Sequence, residues 1–312
     1  MVSAWDVLKH TGLFYGVLFY HTRSPWHLAW LAARCRRARD ARLYYLSPAR
    51  TEAQLRRDQM FFRWICGFGD IAAVERHVPH SARGADGRLL VLPRECDRLL
   101  RTIDFRGSPP PPPYLVPPAE AKQRAESLLS PLLGRPLIAL GPGSKMPAKK
   151  WFLDRYAEVC QRITAWHPSV GLVVFGGPED RKDGDSLVAA IGAERGLNLA
   201  GVTDVIESAA AMAHCSIYLG NDTGTMHLAA IMGLPCVAVF TSRDNRDTWA
   251  PWGDAHVILR RDLACSGCML ERCEREKMRC LDLISVDDVW AAIEPQLARL
   301  SPRAAPPRML PS

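Results

Sequence analysis

No apolar run in this chain approaches the ~18 consecutive residues expected of a membrane-spanning helix. The N-terminus also lacks the basic-then-apolar pattern of a secretory leader, so a cytoplasmic protein is expected. Without an export signal, the ten cysteines are expected as mostly reduced thiols. No repeat of the solenoid kind is visible. Lysine is scarce, at seven of the 40 basic residues, and three of those seven fall within 145–150. The rest is ordinary globular composition, 48% hydrophobic and 23% charged. At 312 residues the chain is long enough for two domains, each with a core. A net charge of +7, spread along the chain, favours anionic partners: nucleotides, phosphorylated glycans and membrane surfaces.

The chain is organised around residues 217–240, IYLGNDTGTMHLAAIMGLPCVAVF. A short apolar strand, Ile217 to Leu219, stops at Gly220-Asn221-Asp222-Thr223-Gly224. A helical pattern follows from Thr225, with Met226, Ala229, Ala230 and Ile231 on its inner face. Gly233 and Pro235 close it, and a second strand runs from Cys236 to Phe240. This is a βαβ unit whose polar turn offers helix N-terminal amides to an anionic ligand. A capped turn in an ordinary α/β domain is the competing reading.

Residues 1–12 read as the end of a helix and 14–20 as a buried strand, followed by a turn at 21–25. A helix is expected over 26–39, with Trp26, Trp30, Ala33 and Leu31 inward and an arginine-rich outer face. Residues 55–66 are amphipathic, and Leu89 to Pro93 reads as a short strand. Ser108 to Pro118, with five consecutive prolines, reads as a stiff linker. Three regions follow: a partial Rossmann-like domain over 1–107, linker and connecting helix over 108–134, and a nucleotide-sugar domain over 135–312. In the last, strands are expected at 137–140, 170–175, 197–200 and 256–259. Helices are expected at 151–166, 185–195, 205–215 and 286–300. Asp204 and Glu207 form a capping-box start. Alternation of this kind means a parallel sheet covered on both faces.

Ligands gather at strand ends in such sheets. The strand at 137–140 runs into Gly141-Pro142-Gly143-Ser144-Lys145 and then Lys149-Lys150-Trp151. Glycines admit a phosphate, Ser144 offers a hydroxyl and a lysine supplies charge. The pattern is neither a Walker loop nor Gly-x-Gly-x-x-Gly. The next strand ends at Gly176-Gly177-Pro178-Glu179-Asp180, where an acid could hold ribose hydroxyls or cap the next helix.

GPGSxxxxKKW, FGGPED, NDTGTMHLAAIMGLP and FTSRDNRDTWAPWG together closely resemble glycosyltransferase family 9, the heptosyltransferases of lipopolysaccharide assembly. The resemblance covers roughly 135–290 and is most specific at Asp-Thr-Gly-x-x-His-Leu-Ala-Ala. It implies an α/β protein of GT-B type, two Rossmann-like domains with the N-terminal one incomplete. It also implies an inverting transferase that needs no metal and uses a nucleotide-sugar donor, usually ADP-heptose. The implied partners are a lipid-linked glycan acceptor and transient contact with the inner membrane surface, with no nucleic acid. Carried over by motif, Gly143, Ser144 and Lys149 meet the donor diphosphate and Glu179 the nucleoside. Asp222, Thr223, Gly224 and His227 grip the diphosphate and sugar, and Lys149 stabilises the leaving group. The family's early Gly-Asp turn, which holds the presumed base, has no counterpart: Asp6 follows no strand and Gly69-Asp70 comes too late. Expectations therefore include an inactive or truncated nucleotide-sugar-binding protein, and a transferase using a UDP- or GDP-sugar.

Cys265, Cys268, Cys273 and Cys280 cluster in a charged loop. Four thiolates suit a structural Zn or Fe. The second pair lacks tight metal-knuckle spacing, which favours free thiols.

Overall fold

Ser24 accepts a hydrogen bond from His27 N and starts α1, Pro25–Cys35, with Pro25 in its first turn. A computed structural model describes this helix together with residues 17–19, 21, 23–46, 51–72, 78, 81–103, 105, 107, 112, 115–274 and 276–300. The described residues form two units. The smaller holds those between 17 and 107 together with 245–249, and the larger holds the others.

In the smaller unit, α1 is followed by β1 (Leu43–Tyr44), α2 (Glu52–Met60), a π-helical turn (Phe61–Ile65), β2 (Ile71–Ala72) and α3 (Glu95–Thr102). β1 and β2 pair in parallel. Thr51 and Gln54 form a capping box at the start of α2. A small core gathers Ala32, Cys66 and Phe68, with Leu43, Phe61, Phe62 and Ile71 against it.

Two expectations are corrected here. In α1, Leu31 and Ala32 face inward, while Trp26 is 84% and Trp30 45% exposed and Ala33 also faces solvent. The helix buries Leu31 and places Ala32 in the small core, and the opposite apolar edge is left outside. Leu89–Pro93 is not a strand; Leu89 forms only an isolated antiparallel bridge with Arg83. Leu90 N donates to Ala82 O at 2.8 Å, and the pairing extends no further along the run among the described residues, so it stops short of a strand. The expected helix end over 1–12 lies outside the described residues, as does most of the expected strand over 14–20. Its described part, 17–19, carries no strand pairing. Most of the proline-rich stretch likewise lies outside them.

The larger unit begins with α4 (Ala119–Leu129) and alternates regularly thereafter. Its elements are β3 (Leu137–Gly141), α5 (Leu153–Trp166), β4 (Gly171–Val174), α6 (Arg181–Ile191), β5 (Gly196–Asn198), α7 (Val205–Met212) and β6 (Cys215–Asn221). Next come α8 (Gly224–Ile231), β7 (Cys236–Val239), β8 (Val257–Leu259), a short α9 (Arg279–Asp282) and α10 (Val286–Leu297). All six strands are parallel, in the order β5-β4-β3-β6-β7-β8. β3, β4 and β7 are buried at every position, as a sheet covered on both faces requires. Tyr156, Val159 and Ile163 of α5, Leu187 of α6 and Val289 and Ile293 of α10 pack one face. α4, α7 and α8 are grouped apart from them, with α8 lying against β3, β6 and β7. Asp204 and Glu207 make the expected capping box. Gly233, at φ +85°, closes α8 in the left-handed region that glycine tolerates.

Candidate functional site

Chain direction reverses across this sheet between β3 and β6. From β3 the chain steps outward through β4 to β5, and from β6 it steps the other way through β7 to β8. The loops leaving β3 and β6 therefore diverge and open a crevice at their carboxyl ends. Asn221, the last residue of β6 and fully buried, ties both loops together. Its Oδ1 accepts from Trp151 N at 3.2 Å and from the Tyr156 hydroxyl at 2.9 Å. Its Nδ2 donates to Pro142 O at 2.6 Å and to Gly143 O at 3.4 Å. One amide thus uses both ends to hold the β3 loop and the approach to α5 against β6.

That pin sets Lys149 opposite Asp222. Lys149 closes a 3-10 turn, Pro147–Lys149, and its Nζ lies 2.5 Å from Asp222 Oδ2. The two side chains are 13% and 5% exposed, so this is a nearly desolvated pair. Lys150 turns the other way, to Asp180 at 3.2 Å and Asp183 at 3.3 Å. Ser144 Oγ accepts from Met146 N at 3.1 Å, which holds the loop in shape, while Lys145 is exposed. Gly143 is required: a Cβ there would run into the Asp180 carboxylate, which packs directly on the loop.

After Asp222, Thr223 is extended and α8 opens with no side-chain cap. Its hydroxyl instead bonds Thr225 Oγ1 at 2.9 Å, and Thr225 bonds the Tyr218 hydroxyl at 2.8 Å. First-turn amides of an uncapped helix face outward with the positive end of the dipole. A Cβ on Gly224 would meet nothing within 4 Å, so the space before this helix start is open. His227 sits one turn in, half-buried; burial lowers its pKa, opposed by Asp222 and aided by Lys149.

Lys149, Asp222, Thr223, Gly224 and His227 are thus brought around one crevice, with Gly143 and Ser144 on its β3 side. Glu179 is exposed on the β4 loop. The adjacent Asp180 accepts from Gly177 N at 3.1 Å across the 3-10 turn Pro178–Asp180 and gives α6 no side-chain cap. Sequence reasoning gave no role to Asn221 or Asp244. Asp244 lies past the end of β7 and is 3% exposed. Burial raises its pKa, partly offset by Lys149 while Asp222 adds to the rise. Asp244 therefore belongs to the electrostatic neighbourhood of the Lys149–Asp222 pair. The available signal was an acid in FTSRDNRD directly after an apolar strand.

The four clustered cysteines line a cavity of the larger unit together with Ala148, Thr241, Ser242 and Arg243. Among the described residues no group of three or more His, Cys, Asp or Glu is arranged to hold a metal ion, so the thiols as placed do not form a ligand set. Burial raises the Cys265 pKa, and Cys268 and Cys280 raise it further.

The sequence profile of Glycosyltransferase family 9 (heptosyltransferase) matches residues 85–279. The chain belongs to glycosyltransferase family 9. Lipopolysaccharide heptosyltransferase 2 of Salmonella typhimurium is 33% identical over 138 residues, 42% of this chain and 39% of that protein. Lipooligosaccharide heptosyltransferase 2 of Haemophilus influenzae is 33% identical over 158 residues, 47% of this chain and 44% of that protein. The aligned region is therefore less than half the length of these relatives. A family 9 glycosyltransferase from Veillonella parvula shares the fold at TM-score 0.67 and 18% identity, over 95% of this chain and 87% of that one. The E. coli ADP-heptose lps heptosyltransferase II does so at TM-score 0.58 and 20% identity, over 88% of this chain and 81% of that one. This family 9 chain accordingly has the α/β fold of GT-B type that its motifs implied. Among its described residues no helix is long and apolar enough to cross a membrane.

The burial of His227 makes a prediction for this family member. A histidine whose folded pKa is depressed adds stability above its unfolded pKa, near 6.5, and loses it as pH falls through the folded value. Tm should therefore decline from pH 6.5 downward, and His227→Gln should flatten that decline. Parallel slopes for the two proteins in thermal denaturation between pH 5 and 8 would refute the assignment.

Proposed function

We propose that this chain binds a nucleoside-diphosphate sugar in the β3/β6 crevice and transfers the sugar, a heptose, to a lipopolysaccharide-type acceptor with inversion. The observation that carries the reading is the Lys149–Asp222 pair set beside the uncapped start of α8. A diphosphate leaving group gains negative charge as the glycosidic bond breaks. Lys149 and the amides of Thr223 and Gly224 answer it from fixed positions, the preorganised stabilisation that contributes most in a dry site. Asp222 holds Lys149 while the crevice is free and turns to sugar hydroxyls when phosphate takes the ammonium. Ser144 and Gly143 line the phosphate path, and Glu179 meets the nucleoside from the β4 loop. With a cation and amides supplying the positive charge, the step requires no cofactor. The acceptor is a lipid-linked glycan; the Salmonella relative's name supports a heptose as the sugar, and the E. coli structural neighbour's name supports ADP-heptose as its donor. No base is assigned to the acceptor hydroxyl: Asp6 lies outside the described residues, and Asp70 pairs with Arg42 at 3.1 Å.

Thermal-shift titration with ADP, UDP and GDP tests the donor site. At one hundred times the dissociation constant a ligand stabilises the native state by about 2.7 kcal/mol. An ADP-selective rise in Tm is expected. A rise with UDP or GDP alone would move the donor to that base. A flat response to all three from folded protein would sink the reading. ADP binding without transfer from ADP-heptose would leave a nucleotide-sugar-binding protein.

A further inference from the structure

Asp244 is a buried acid that the fold itself does not use. It follows β7 at the same sheet end where Asp222 follows β6, since Asn221 and Val239 stand side by side in register. Two buried arginines flank it, yet neither takes its carboxylate as a main partner. Arg243 donates Nε to Leu270 O at 2.9 Å and Nη2 to Met269 O at 2.7 Å. Its remaining Nη1 stands 3.4 Å from Asp244 Oδ2, beyond the roughly 2.7–2.9 Å of a charge-assisted hydrogen bond. Arg260 pairs with Asp262 at 2.7 Å and gives its other nitrogens to two carbonyls, Thr241 O at 3.3 Å and Asp244 O at 2.8 Å. Asp244 Oδ1 accepts no hydrogen bond from any described residue. The arginines thus clamp the backbone of this loop and leave the acid uncommitted.

Burying an unpartnered acid opposes folding, and burial does raise the Asp244 pKa. A group that costs stability and braces nothing points to a ligand. Phosphate is the wrong one, because a second carboxylate beside Asp222 repels it. A polyhydroxyl group carries no charge and supplies the O–H donors that Oδ1 lacks.

We propose that Asp244 is a specificity-determining residue that accepts hydrogen bonds from hydroxyls of the donor's sugar, and so separates a sugar-bearing nucleotide from the bare one. The assignment rests on the donor reading of the crevice and divides its labour. Lys149 and the first amides of α8 take the diphosphate, while Asp222 and Asp244 take the sugar.

Calorimetric titration with ADP and with ADP-heptose, on the parent chain and on Asp244→Asn and Asp244→Ala, tests it. Asp244→Ala should weaken ADP-heptose binding at least tenfold and Asp244→Asn by less, with both leaving the ADP constant within twofold. In thermal denaturation without ligand, Asp244→Asn should melt no lower than the parent, because it removes an unpaired buried acid at constant shape. A bracing role predicts the reverse. A lower Tm with equal loss of both ligands would make Asp244 a strut of the crevice, and unchanged ADP-heptose binding would make it a bystander. Either result overturns the proposal and leaves the donor reading standing. Folded parent protein that binds neither ligand would overturn the donor reading, and this assignment with it.

Discussion

Lys149→Ala should erase the nucleotide-induced rise in Tm and slow sugar transfer by about 10²–10³, the usual cost of one charge-stabilising donor in a preorganised site. The same change exposes a second effect. Asp222 is 5% exposed and loses its cation, so the variant should also be less stable by about 3 kcal/mol. The two effects separate in the double variant Lys149→Ala/Asp222→Asn. Removing both charges avoids a stranded buried carboxylate, so stability should largely return while nucleotide response and transfer stay lost. A double variant that recovers the nucleotide response would show that Lys149 is only the counterion of Asp222. Chemical denaturation and titration with ADP, run on all three proteins, supply both readings.

Asn221→Ala should lower Tm without touching any charge. The substitution strands the Trp151 amide, the Tyr156 hydroxyl and the Pro142 carbonyl, all three in buried surroundings. At one to a few kcal/mol per unsatisfied buried group, a loss of about 3 kcal/mol is a modest sum. For a domain of about 150–250 residues, the class of the larger unit, that is roughly 6–12 °C in Tm. Freed of its anchor, the loop carrying Gly143 to Lys149 should also lose its fixed position, so nucleotide affinity should fall with stability. An unchanged Tm would mean that the four hydrogen bonds do not hold the crevice.

The larger unit was legible because its signals are local. Asp204 and Glu207 announce their helix, Gly233 ends another, and each buried strand reads as an apolar run of the right length. The motif residues likewise declared the crevice, since polar turns at the carboxyl ends of parallel strands have few other uses. What failed depended on partners distant in sequence. α1 carries two apolar edges, Leu31 with Ala32 and Trp26 with Trp30, and period alone cannot select which one is covered. Leu89 to Pro93 has strand composition but, among the described residues, only an isolated bridge to Arg83. Asn221 reads as part of a turn because a buried amide with four partners looks, in sequence, like any polar residue that ends a strand. Nothing in composition marks 245–249 as belonging with the smaller unit.

The reversal of strand order between β3 and β6 has a consequence during translation. Leu137 pairs with Cys215, 78 positions later, and all residues between must leave the ribosome first. At about 5–20 residues per second, the nascent chain carries one unzipped edge of β3 for roughly 4–16 s. β4 and β5 emerge in that interval and can zip onto the other edge, so a three-stranded half-sheet precedes the complete one. Until Asn221 arrives, the loop of Gly143 to Lys149 has nothing to brace it, and the exposed edge is a target for chaperones or for wrong pairing. A pause in translation just after β5 would lengthen that window, whereas one placed beyond α8 would let the crevice lock before the last strands are made.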